Sequence, residues 1–165
     1  MLNNIISVLK NKYFYILIGV VFIIPIVYKN LPIRIDFTQQ SSLEYKIWLT
    51  YSDLSIDTNY ILFVPPKSKY ISSDDVKYLK KIACKEQDFL TTIDMDYFCN
   101  GKYIGTSSRF DGNGKKIDNF IFNGTIPKDK FFVVGTHPLS HDSKYFGFID
   151  KTKVLRKAKP FLYKG

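Results

Sequence analysis

The stretch Gly135–Ile149, GTHPLSHDSKYFGFI, decides the fold of this chain. It sets Ser140, Asp142, Ser143 and Lys144 within five positions, with apolar runs on both sides. Just upstream, Ile126-Pro127-Lys128-Asp129-Lys130 carries turn chemistry. Phe131-Phe132-Val133-Val134 then reads as a strand that stops at Gly135. Taken alone, the polar part of the stretch is a solvated turn. Asp142 with Lys144 would be a surface ion pair worth under about 1 kcal/mol.

The same grammar of short apolar runs and turn residues continues toward the N-terminus. Ile33–Phe37, Tyr45–Thr50, Tyr60–Val64, Val76–Cys84, Phe98–Ile104, Phe120–Phe122 and Phe131–Gly135 are rich in Ile, Val, Phe and Tyr and read as strands. Pro65-Pro66 ends one of them, and Asp111-Gly112-Asn113-Gly114 is a hairpin turn. Short strands with no long amphipathic helix predict a mainly β, antiparallel domain of sandwich or barrel type.

Before these strands comes Tyr13–Tyr28, YFYILIGVVFIIPIVY, sixteen residues without a charge, flanked by Lys10 and Lys12 and by Lys29 and Arg34. Lysine stems can snorkel and tyrosines suit a membrane interface, so the segment predicts one transmembrane helix. A cleavable signal peptide is disfavoured, because YKNLPIRID follows rather than a small-x-small site. Residues 1–30 are thus expected to be a membrane anchor and 31–165 a single domain.

Composition narrows the function. The chain has 165 residues, 24 basic against 15 acidic, and a formal charge of +9. The lysines are scattered and no Arg-rich helix or aromatic RNA-binding motif accompanies them, so no nucleic-acid partner is expected; a basic surface facing anionic lipid fits better. DGNG at 111–114 echoes a calcium loop, but the alignment puts Arg109 first and Phe120 twelfth, where oxygen ligands are needed. His137 and His141 are separated by Pro138, which argues against a metal-binding helix. No metal and no cofactor are expected.

Ser140-His141-Asp142-Ser143-Lys144-Tyr145-Phe146-Gly147 resembles the Ser-x-Asp-Ser-Arg-aromatic-Gly signature of the type I signal peptidase family, with Lys144 in place of arginine. Ser42-Leu43-Glu44-Tyr45-Lys46-Ile47-Trp48 resembles the nucleophile box of the conjugative-transfer (TraF-like) branch, Ser-x-Pro-x-x-x-aromatic, with Glu44 where proline is usual. Lys80-Lys81-Ile82-Ala83-Cys84-Lys85-Glu86-Gln87-Asp88 resembles the lysine box, Lys-Arg-x-x-Gly-x-x-Gly-Asp, but carries Cys84 and Gln87 at its two glycines. The matches span about Thr38–Ile149.

That resemblance implies a membrane-anchored serine endopeptidase of a bacterial inner membrane, with its catalytic domain on the periplasmic side. Its partners would be the lipid bilayer and exported proteins with leader peptides, such as pilin subunits. Ser42 would be the nucleophile and Lys80 its general base. Ser140 would orient the lysine amine, Asp142 and Lys144 would brace the site, and the Ser42 N–H, aided by Gln40, would bind the oxyanion. The chemistry requires such a set, because a serine hydroxyl is a poor nucleophile until a base takes its proton. Lysine is such a base only when burial lowers its pKa. The alternative is a drifted relative that serves as a structural part of a conjugation or secretion assembly.

Two further expectations come from the residues themselves. If Val76–Cys84 is a strand, Val76, Tyr78, Lys80, Ile82 and Cys84 share one face, on which Lys80 is the only charge, and Lys81 lies on the other. Cys84 and Cys99 are the only cysteines; neighbouring antiparallel strands could join them in a disulfide, against the alternative of two buried free thiols.

Overall fold

In Tyr60–Phe63 (β3), Ile61 and Phe63 are fully buried while Tyr60 and Leu62 are half-buried. Successive side chains point to opposite faces of a strand, so β3 feeds two cores at once. Ile61 and Phe63 pack with Val133, Ile149 and Val154, whereas Tyr60 and Leu62 pack against Leu43, Trp48, Leu79 and Ala158. Both faces of this part of the sheet are therefore covered.

The computed structural model describes residues 12–38, 42–68, 71, 73 and 75–161. Along with β3 it has β1 (Ile33–Phe37), β2 (Ile47–Tyr51), β4 (Tyr78–Lys85), β5 (Phe89–Ile93), β6 (Asp96–Cys99), β7 (Lys102–Thr106), β8 (Gly124–Thr125), β9 (Lys130–Val134), β10 (Ile149–Asp150) and β11 (Val154–Pro160). A seven-stranded sheet runs β1-β2-β11-β3-β4-β9-β10, and a four-stranded sheet runs β7-β6-β5-β8. A one-turn helix, α2 (Ser143–Phe146), lies between β9 and β10 in the chain. The domain is mainly antiparallel β, as its sequence pattern predicts.

The chain divides into two compact units, Met1–Arg34 and Ile35–Gly165. The first contains α1 (Lys12–Asn30), the one helix among the described residues long and apolar enough to cross a membrane. Its nineteen residues would span about 28 Å, against a hydrocarbon thickness of about 30 Å. The stretch Tyr13–Asn30 has a mean hydropathy of 1.7 and none of it is buried.

Several expectations need correction. Val76 lies outside β4, which starts at Tyr78. Phe98–Ile104 is two strands, β6 and β7, joined through Asn100 and Gly101, both at positive φ. Phe120–Phe122 forms no strand, although its apolar alternation resembles one. Its backbone is met outside any ladder: the Phe120 N–H donates to the Lys144 carbonyl (2.8 Å), the Tyr97 hydroxyl to the Phe120 carbonyl (2.9 Å) and Thr92 Oγ1 to the Phe122 carbonyl (3.1 Å). Four strands of the structure, β5, β8, β10 and β11, were not expected.

The strand parity of β4 also changes partway along. Its pairing with β9 shifts between Ile82 and Cys84, a β-bulge at Ala83. One extra residue reverses the facing of everything beyond it. Tyr78 and Ile82 thus pack with the Ile61–Phe63 cluster, whereas Cys84 packs with Leu90, Tyr97, Ile126 and Phe132 in another. Cys84 and Lys80 do not share a face.

Cys84 is bonded to Cys99, with their Cα atoms 5.7 Å apart. The bond does not join neighbouring strands. It ties β4 of the large sheet to β6 of the small one. Gln87, at the second lost glycine of the lysine box, takes the left-handed conformation that glycine would favour, φ 71°.

Because the disulfide closes a loop with a sequence separation of 15 and links two sheets, replacing both cysteines by serine should cost about 3 kcal/mol of stability. Urea unfolding of the oxidised protein and of the double variant measures this; equal midpoints would mean the tie contributes nothing.

Candidate active site

Lys80 sits in β4 opposite Ile61 of β3, on the face that carries the Ile61–Phe63 core. It is 2% exposed, while the adjacent Lys81 is exposed to solvent. Its Nζ lies 5.3 Å from the centre of the Tyr78 ring and donates to Ser140 Oγ at 2.9 Å. Burial penalises the ammonium and lowers its pKa to about 8; the Asp142 carboxylate pulls it back up and the Lys144 ammonium pushes it down. A lysine of that pKa exchanges its proton near neutrality, which an ordinary surface lysine does not.

Ser140 belongs to the loop that leads from β9 into α2. Asp142 is the N-cap of that helix: its Oδ1 accepts from the Lys144 N–H (3.2 Å). Its Oδ2 accepts from Lys144 Nζ (2.7 Å) and from the Gly135 N–H (2.9 Å). Asp142 is wholly buried and Lys144 is 3% exposed, so this is a buried ion pair rather than the surface pair the sequence suggests. Ser143 Oγ accepts the Val133 N–H at 2.9 Å. β10 pairs only with Lys130 and Phe131 of β9. Beyond them, the side chains of Ser143 and Asp142 take the place of a neighbouring strand at Val133 and Gly135.

Ser42 lies in a turn before β2 and is half-buried. Its carbonyl accepts the Thr136 N–H at 2.8 Å. Gly135 is the point where the pieces meet. A Cβ there would lie 2.1 Å from Ser140 Oγ and 2.7 Å from the Ser42 carbonyl oxygen, so only glycine lets the two approach. Among the described residues no hydrogen bond joins the Ser42 hydroxyl to the Lys80 amine. Gln40 falls outside the described residues.

The structure thus gathers Lys80, Ser140, Asp142 and Lys144 around the end of β9 and brings the backbone of Ser42 to the same point. Sequence reasoning did not single out Gly135, Ser143 or Tyr97 as site-building residues. The Tyr97 hydroxyl lies 2.9 and 3.0 Å from the Phe120 and Lys144 carbonyls and holds the start of α2 against the aromatic core. Gly147 does the same at the helix's other end. It takes φ 78°, and a Cβ there would meet the Phe120 ring at 2.9 Å. The glycines at 135 and 147 of the quoted stretch were the available signal.

The chemistry of this cluster is that of a buried amine of lowered pKa beside the Ser140 hydroxyl. The family model described as signal peptidase, peptidase S26, matches residues 8–163. Among solved structures, a signal peptidase I from Enterococcus faecalis V583 is similar at 20% identity, over 63% of this chain and 92% of its own, with a TM-score of 0.37. No curated protein matches the chain.

Gly135→Ala should distort the site and lower stability by about 1–3 kcal/mol, because one of the atoms it would strike is backbone and cannot rotate away. Thermal unfolding checks this. A midpoint equal to that of the unaltered chain would contradict the close approach of Ser42 and Ser140.

Proposed function

The chain belongs to the peptidase S26 signal peptidase family, a family of serine proteases that remove leader peptides, and from that premise we propose that it cuts exported proteins by a Ser42–Lys80 dyad. The burial of Lys80, with a pKa near 8 and its amine donating to Ser140, is the observation that carries this reading. In the proposed reaction Ser42 Oγ attacks the scissile carbonyl carbon while its proton passes to the neutral Lys80 amine. The oxyanion forms against the Ser42 N–H, with Gln40 as a second donor. The tetrahedral intermediate collapses, and the leaving amine takes the proton from Lys80. Water, deprotonated by the same lysine, then releases the acyl group from Ser42.

Ser140 would orient the amine, and the Asp142–Lys144 pair would brace the loop that carries it. The family and the apolar α1 together suggest membrane anchoring. We assign residues 1–30 to the anchor and 31–165 to a periplasmic catalytic domain of a bacterial inner membrane, in contact with the bilayer. The conjugative-transfer branch, and with it a pilin-like substrate, is the reading that the Ser42 box supports.

Two tests follow from Lys80. Lys80→Met should abolish cleavage, and Lys81→Met should leave most of it. An ammonium whose pKa falls from 10.5 to about 8 costs the folded state about 3 kcal/mol at any pH below 8, and this cost fades as the pH rises from 8 to 10.5. Lys80→Met should therefore also raise the unfolding midpoint at pH 7, gaining stability as it loses activity. Inactivity with a lowered midpoint would mean that the lysine is structural.

The base must be neutral to accept a proton, so kcat/KM should climb roughly tenfold per pH unit below about pH 8 and level off above it. A fluorophosphonate serine-hydrolase probe should label the unaltered chain with the same pH profile and should not label Ser42→Ala. Equal labelling of both would remove Ser42 from the role and favour a structural protein.

A further inference from the structure

The proposed dyad uses one face of β4, while the far end of that strand opens onto a cleft of about 740 Å³ that the dyad does not occupy. Its walls are residues 81–85 of β4 and Lys102–Thr106 of β7, and the loop 136–138 lies at one end. Gly135 and Lys144 also line it, so the cleft runs directly into the catalytic cluster. The volume is within the roughly 300–1,000 Å³ usual for binding sites.

The charge of the cleft is one-sided. Lys81, Lys85 and Lys102 stand exposed on its walls, and among the described residues none is in an ion pair. Asp88 is the single carboxylate in the lining, and both its oxygens are engaged, by the Lys85 N–H (2.9 Å) and the Asn100 amide (2.9 Å). Lys144 is already neutralised by Asp142. β7 is the edge of the small sheet and pairs with β6 alone, leaving its outer backbone groups open to another extended chain.

We propose that this cleft is a recognition site for an extended acidic segment of the polypeptide being processed, added along β7 with its carboxylates on Lys81, Lys85 and Lys102. The proposal rests on the peptidase reading, which supplies the polypeptide. A peptide fits the open strand edge because it can continue the hydrogen-bonding ladder, which a sugar–phosphate chain cannot. The lining holds lysines and no arginine, so no planar fork for phosphate is present.

The test uses the full chain carrying Ser42→Ala, in nanodiscs of zwitterionic phosphatidylcholine, so that binding is read without cleavage. The probe is a fluorescein-labelled ten-residue peptide of alternating glutamate and alanine, compared with its glutamine counterpart. Fluorescence anisotropy should show the glutamate peptide binding roughly tenfold more tightly, with the preference lost in about 0.5 M salt. Lys85→Glu with Lys102→Glu should abolish the preference, and Lys151→Glu with Lys153→Glu, outside the cleft, should preserve it. Equal binding of the two peptides, or equal loss from both pairs of substitutions, would overturn the proposal. So would displacement by a single-stranded oligothymidylate that binds more tightly through the same lysines. Failure of the peptidase reading shows itself elsewhere, as an unaltered chain that the serine-hydrolase probe does not label.

Discussion

The Asp142 carboxylate is the interaction on which the rest of the site depends. It is fully buried and holds three donors: the Gly135 N–H, the Lys144 N–H and the Lys144 ammonium. Through the first it fixes the end of β9, and through the others it starts α2. A carboxylate in that position without Lys144 would be an uncompensated buried charge, a far larger penalty than losing a surface ion pair. Lysine serves here where the family pattern has arginine, because the bond it makes to Asp142 is a single short contact rather than a planar fork.

The same pair governs the electrostatics around Lys80. Burial is the largest influence on the Lys80 proton; the Asp142 carboxylate works against it, and the Lys144 ammonium works with it. The proton affinity of this amine is thus set by its burial more than by any one charged neighbour. Ser140 adds a hydrogen bond without adding charge. Gly135 then decides how closely the Ser140 hydroxyl and the Ser42 backbone can approach, which is a steric condition and not an electrostatic one.

How much of this was legible in the sequence follows from what each residue does. β1 alternates apolar and charged residues, β3 and most of β9 are apolar runs, and all three were readable at nearly their true limits. β11 was not, because Arg156 occupies an inward position in it while Leu155 points outward. The guanidinium is satisfied by the Thr50 hydroxyl and carbonyl, at 3.0 Å each, and partners a hundred residues away leave no local trace. Phe120–Phe122 misled in the opposite sense: its alternation serves a cluster of stacked rings, not a ladder. The quoted stretch pointed to Ser140, Asp142 and Lys144 by chemical type. That Asp142 and Lys144 are buried left no local sign; the Lys144 carbonyl is met by the Tyr97 hydroxyl and the Phe120 N–H, which come from elsewhere in the chain.

The bulge at Ala83 makes the length of β4 as restrictive as its composition. An insertion or deletion in a loop is absorbed locally, and a substitution in a strand alters one side chain. Removing a single residue at this bulge would instead re-phase the strand, turning either Lys80 out of its core or Cys84 away from Cys99. Evolution can therefore exchange side chains along β4 far more freely than it can change their number, and the spacing between lysine and cysteine is held by geometry even where neither neighbour's identity is.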